Sequence, residues 1–299
     1  MNAQIKELLR PEILHTVDGL ELVARIIVEG FMSGSNRSQT VGPGQEFSQY
    51  RGYEPGDDLR QLDWKMFARS ERYFIKQADI ETNITVKFII DASNSMGYTE
   101  DGMSKLQYAK IITAALAYLA RKQSDAFGLY TISENKIVTI QPRFEHAQFM
   151  RFLNEIVRVK CEGAWNRAPD LERLHGKPAK DLIVFLTDLY DDSNDLFRFV
   201  SALKTGRNEV IVIQLMGKHE MEFDFEGSFT FEDMESGQRI KVDSRTQRSA
   251  YAGRVADWLK QSRDRLLEKQ IDYLCIRMDE SVEKALRTFL TVRKRLSRV

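Results

Sequence analysis

Asp91, Ser93 and Ser95 stand at alternate positions in FIIDASNSMGY, residues 88–98, directly after an apolar run. One carboxylate and two hydroxyls at the end of a buried strand can aim three oxygens at one point. A second acid, Asp188, closes the run DLIVFLTD, residues 181–188, and Asp191 and Asp192 follow within four positions. A few carboxylates, two hydroxyls and room for water suit a hard divalent cation such as Mg²⁺ or Mn²⁺. Hydroxyls are weak, neutral ligands, so an ion they hold keeps much of its charge and can accept a further carboxylate from a partner. That is the chemistry of a docking point more than of a hydrolytic centre. The plainer alternative is that the serines cap the following turn while Asp91 accepts backbone amides.

Such a cluster needs strands to hold it. Four runs rich in Val, Ile, Leu and Phe read as strands buried on both faces: 84–91, 126–133, 181–188 and 209–216. A fifth run, 272–278, is weaker, and 136–142 follows the second run closely enough to fold back on it through Glu134 and Asn135. Helical spacing appears between them, as with Leu106, Ala109, Ile112, Leu116 and Leu119, opened by a capping box of Ser104 with Gln107. Residues 147–159, 195–205 and 252–270 carry similar patterns. Strands alternating with helices predict an α/β fold with a doubly wound, mostly parallel sheet. In such sheets ligands bind beyond the carboxyl ends of the strands, where the strand order reverses. Asp91 and Asp188 would share one crevice if their strands were neighbours there.

Two stretches stand outside the alternation. Residues 1–83 form an N-terminal region expected to pack on the sheet of a domain spanning 84–299. Its charged segment RGYEPGDDLRQLDWKMFAR sets Arg51, Tyr53, Asp57, Asp58, Arg60 and Trp64 close together, either as a partner surface or as a charged clamp. Trp64 and Phe67, three apart, predict one buried face of a short helix. Residues 217–247 alternate polar and apolar around turn residues and predict a small antiparallel insertion.

Composition narrows the classes. The 44 basic and 44 acidic residues cancel, which gives no reason to expect nucleic-acid binding. Cys161 and Cys275 match no metal or redox spacing, and the four histidines form no zinc pattern. No apolar run is long enough for a membrane span, so a soluble, cytoplasmic protein is expected. No phosphate-binding loop, dinucleotide fingerprint or nucleophile-elbow motif occurs. Any nucleotide chemistry would come from a partner.

DASNS followed by Met-Gly resembles the metal-ion-dependent adhesion site of von Willebrand factor type A domains, and TDLYDD resembles that site's later aspartate loop. The resemblance implies Asp91, Ser93 and Ser95 in the first loop and Asp188 in the third. The second-loop threonine of such sites aligns with Trp165, and an indole cannot ligate a metal. Asn166 or water would take its place, and Asp191 is a further candidate ligand. Residues 44–81 and the downstream FEDMESGQRIKVD resemble the bacterial "domain of unknown function 58" family. That resemblance implies a non-enzymatic adaptor or chaperone-like partner of a MoxR-type AAA+ ATPase. The competing enzyme reading is a metal-dependent nuclease or phosphohydrolase of the PIN type, with Asp91, Asp188, Asp191, Asp192 and Asp195 around two ions. Ser93 and Ser95 speak against it, since they stand where such an enzyme needs carboxylates. A scaffold with a decayed metal site is the third reading.

Overall fold

The computed structural model describes residues 11–35, 47–52, 64–78, 84–134, 137–165, 181–190, 194–225, 227–234 and 237–296. Contacts divide the chain into two units, Ser33–Asn83 and the remainder, Met1–Met32 with Ile84–Val299.

In the smaller unit, β1 (Phe47–Gly52) pairs antiparallel with β2 (Phe74–Ala78), and a short helix, Trp64–Ser70, lies between them in sequence. Arg51 is part of β1, opposite Ile75. The buried face expected for Trp64 and Phe67 is not formed: Trp64 is 63% exposed and the helix buries none of its residues. Phe67 instead stacks on Tyr73 at 4.6 Å, and Trp64 meets Phe67 edge-on. Tyr53, Asp57, Asp58 and Arg60 lie outside the described residues.

The larger unit is built on β3 (Thr85–Asp91), with two-residue strands β4 (Thr99–Glu100) and β5 (Met103–Ser104) just after it. Then come β6 (Ala126–Ile132), β7 (Ile137–Arg143), β8 (Asp181–Thr187) and β9 (Glu209–Met216). The insertion supplies β10 (Ser228–Glu232) and β11 (Arg239–Asp243), and β12 (Asp272–Arg277) completes the set. Six of these form one sheet in the order β12-β9-β8-β3-β6-β7, parallel throughout except for β7. This is the doubly wound α/β arrangement expected from the alternation.

Side chains leave a strand on alternate faces, so β3 feeds two cores. Phe88 and Ile90 join a cluster with helices Val17–Ser35, Lys105–Lys122, His146–Arg158 and Val282–Leu296. Ile89 points the other way, toward helix Asp195–Leu203 and Leu266 of helix Ser244–Glu268. Each such buried side chain contributes about 1.5–3 kcal/mol relative to exposure. With both faces covered, the strands read as unbroken apolar runs. The helix after β5 starts as predicted: Ser104 accepts from the Gln107 amide while the Gln107 side chain accepts from the Ser104 amide. Among the described residues, no helix is long and apolar enough to cross a membrane.

Candidate functional site

β3 and β8 are direct neighbours, with Ile90 opposite Leu186. The chain leaves β3 toward β6 on one side and later returns to β8 on the other, so the strand order reverses at β3. Asp91 ends β3 at this point, and Asp188 follows β8. The two acids therefore stand at the ends of neighbouring strands.

Loop contacts fix the first segment. The Ala92 amide donates to Ile132 (2.8 Å), the Glu162 amide to Ala92 (2.9 Å) and the Asn94 amide to Gly163 (2.7 Å). Residues Asn94–Gly97 then form a single 3₁₀ turn. Ser93 stands at its start in extended conformation, yet its hydroxyl makes no capping bond. It lies 3.0 Å from the Ser95 hydroxyl instead, and Ser95 donates to Asp188 Oδ1 at 3.2 Å. The capping alternative therefore holds only for Asp91, whose Oδ1 accepts the Ser93 amide at 2.9 Å. Its other oxygen accepts from the Thr187 hydroxyl at 2.7 Å.

The second acid is held as tightly. Asp188 Oδ1 also accepts the Tyr190 amide, Gln214 donates to the Asp188 carbonyl, and Tyr273 donates to Gln214. Leu189 adopts a left-handed φ of 60°, a costly conformation for a branched residue, and this turns the Tyr190 amide back onto the carboxylate. Asp91, Ser93 and Asp188 are buried, while Ser95 is half-buried. Burial, and then the nearby Asp188, push the Asp91 carboxyl up from its ordinary 3.8 to about 6.

Sequence reasoning missed the cation of this site. Lys105 is fully buried, its Nζ 3.0 Å from Asp188 Oδ2 and 2.7 Å from Glu220 Oε1. Burial pulls the ammonium down, but Asp188 and Glu220 together outweigh that and hold its pKa above the ordinary value. A signal did exist. Lys105 is the first residue of its helix, where the macrodipole disfavours a cation, so a local rule was already broken. Glu220 belongs to the short helix Lys218–Glu222 that begins the insertion. Glu100 anchors the same turn by accepting the Lys218 and His219 amides at 3.0 and 3.1 Å. At its far end the insertion returns to the site loop: a Cβ on Gly97 would lie 3.3 Å from the Met234 methyl and 3.6 Å from Cys161 Sγ. The insertion is thus built onto the rim of the crevice.

The remaining predicted residues fall elsewhere. Trp165 is buried against Phe185 and Phe199, within the core cluster that Ile89 joins, and its indole N–H has no partner among the described residues. Asn166, Asp191 and Asp192 lie outside the described residues. Asp195 opens a helix and pairs with Arg198 on the surface at 3.1 Å.

The donors can be tested against a hard divalent ion. Two neighbouring ligands of an octahedral ion, each about 2.1 Å from it, stand roughly 3 Å apart. The Ser93 and Ser95 oxygens are 3.0 Å apart. Among the described residues no three His, Cys, Asp or Glu side chains gather as a metal group, so the donor set rests on hydroxyls backed by two carboxylates. That spacing matches two ligands of such an ion and equally the hydrogen bond the hydroxyls make here, while Asp91 and Asp188 spend their oxygens on Ser93, Thr187, Ser95, Tyr190 and Lys105.

The fold and crevice define a doubly wound α/β protein with an oxygen-lined site at its switch point. The chain belongs to the family described as "Protein of unknown function DUF58", whose model matches residues 49–261. The uncharacterized protein Rv1480 of Mycobacterium tuberculosis is 23% identical over 233 residues, covering 76% of this chain and 72% of that protein. Among solved structures, BatB from Bacteroides thetaiotaomicron is similar at 14% identity and a TM-score of 0.43, over 71% of this chain and 99% of that one. A von Willebrand factor type A protein from Catenulispora acidiphila is similar at 19% identity and a TM-score of 0.35, over 46% of this chain and 34% of that one.

Proposed function

We propose that this protein is a non-enzymatic docking module whose crevice presents a hard divalent cation, Mg²⁺ or Mn²⁺, to an acidic residue of a protein partner. One observation carries the reading: two serine hydroxyls 3.0 Å apart at a strand end, backed by Asp188, with Ser95 only half-buried. The ion supplies a positive charge that neutral hydroxyls leave largely unquenched. Ser93 and Ser95 would hold it directly, Asp91 and Asp188 would orient them, and Thr187 and Gln214 keep the two acids in place. A partner carboxylate would complete the coordination.

The partner we propose is a MoxR-type AAA+ ATPase, with this chain as its adaptor. The sequence has no phosphate-binding loop of its own, which fits a division in which the partner hydrolyses nucleotide. Isothermal titration of the purified protein with such an ATPase, in Mg²⁺ and again in EDTA, tests the proposal. Association in Mg²⁺, weakened at least tenfold by Ser95→Ala and by EDTA, is the expected result. No association under either condition refutes the partnership. Mn²⁺-stimulated cleavage of single-stranded RNA, DNA or a phosphate ester would replace it with the hydrolase.

A further inference from the structure

Lys105 takes no part in the docking scheme above, yet it is fully buried beside Asp188. Its ammonium has Asp188 Oδ2 on one side and Glu220 Oε1 on another, at 3.0 and 2.7 Å. The rings of Tyr98 and Tyr190 lie at 5.2 and 4.8 Å from it. Only 1% of the side chain is exposed, so almost no water screens these charges. The two Asp188 oxygens are divided: Oδ1 faces Ser95 and the candidate ion position, and Oδ2 faces Lys105.

We infer that Lys105 is a built-in counter-ion of the docking site, holding the crevice assembled without a divalent ion and weakening the ion's hold when one binds. The inference rests on the docking reading for the identity of the competing ion. Two carboxylates, Asp188 and Glu220, converge on one point where little water can screen them, and such a pair needs a cation. Lys105 supplies a permanent one. A divalent ion on the serines then shares Asp188 with an ammonium that repels it, and keeps more of its charge for a partner's carboxylate. Because Glu220 is the other ligand of the ammonium, the same lysine ties the first turn of the insertion to the site.

The test is Lys105→Met, close in length and without charge, studied in the full chain by Mn²⁺ titration calorimetry and by thermal melting in EDTA and in Mn²⁺. Binding of Mn²⁺ at least tenfold tighter than in the wild type is expected, with a melting temperature lowered in EDTA and largely recovered by Mn²⁺. If Lys105→Met does not fold in EDTA, Lys105→Met/Glu220→Gln removes one stranded carboxylate and is measured in its place. Wild-type binding with no tightening in either variant overturns the role of Lys105 and leaves the docking reading intact. Binding by the variant alone supports Lys105 as the cation of the site and overturns an ion-dependent wild type. Binding by none of the proteins overturns both.

Discussion

Replacing Trp165 by threonine would install the ligand that the resembled site takes from its second loop, and the structure assigns a definite cost to the exchange. The indole is only 6% exposed, with ring centroids 6.0 Å from Phe185 and 5.3 Å from Phe199. Truncating a buried Trp costs about 3–5 kcal/mol through lost transfer energy and the cavity left behind. Two aromatic contacts add about 0.5–1.5 kcal/mol each beyond their area. No hydrogen bond is lost, since the indole N–H has no partner among the described residues. Trp165→Thr is therefore expected to lose about 4–8 kcal/mol, a large share of the roughly 5–15 kcal/mol typical of a domain. It should gain no Mn²⁺ affinity, because position 165 sends its side chain into the core. Trp165→Phe keeps the ring contacts and sheds the unpaired donor, so it should stay within about 1.5 kcal/mol of the wild type. Urea denaturation followed by far-UV circular dichroism measures both, as midpoint shifts at constant slope. A Trp165→Thr protein within 1 kcal/mol of the wild type, or one binding Mn²⁺ tenfold tighter, would refute the placement of this side chain.

Other perturbations separate the scaffold from the site. Lys87 and Asp181 form a partly buried pair at 2.5 Å near the start of β3, away from Asp91. Lys87→Met should cost about 3 kcal/mol by stranding Asp181 while leaving Mn²⁺ titration unchanged. Gly128 lies at the irregularity between β6 and β7, where a Cβ would come within 2.6 Å of the Ile140 carbonyl oxygen. Gly128→Ala should therefore destabilise by about 1–3 kcal/mol in urea melts, with amide exchange accelerating first in β7. Asp91, raised from 3.8 to about 6, binds its proton more readily folded than unfolded, so its contribution in EDTA grows as pH falls from 7 through 6 toward 4. Asp91→Asn should flatten that part of the stability–pH curve, and an unchanged slope would remove Asp91 as its source.

The apolar strand runs, the capping box at Ser104 and the carboxylate and hydroxyls ending β3 were legible because each depends on a local pattern. Burial on both faces requires unbroken apolar strands, and a helix start requires particular side chains at fixed offsets. The meeting of Asp91 with Asp188 was legible only as a condition, that their strands be neighbours, and the sheet order β8-β3 meets it. What pairs with those acids did not follow. Lys105 reaches Asp188 across 83 positions and Glu220 across 115, and Thr187 reaches Asp91 across 96. Desolvated charges and hydroxyls find such partners only once strands and helices have packed, and no periodicity encodes them. Trp64 and Trp165 make the same point in opposite directions. Helical spacing gave Trp64 a buried face that a seven-residue helix does not form. Alignment with a ligand position left Trp165 without a role, and the packed sheet gave it one beside Phe185 and Phe199. Sequence alone determined which oxygens gather at the strand ends; tertiary packing decided which charge stands beside them, because that depends on which distant side chains are shut away from water together.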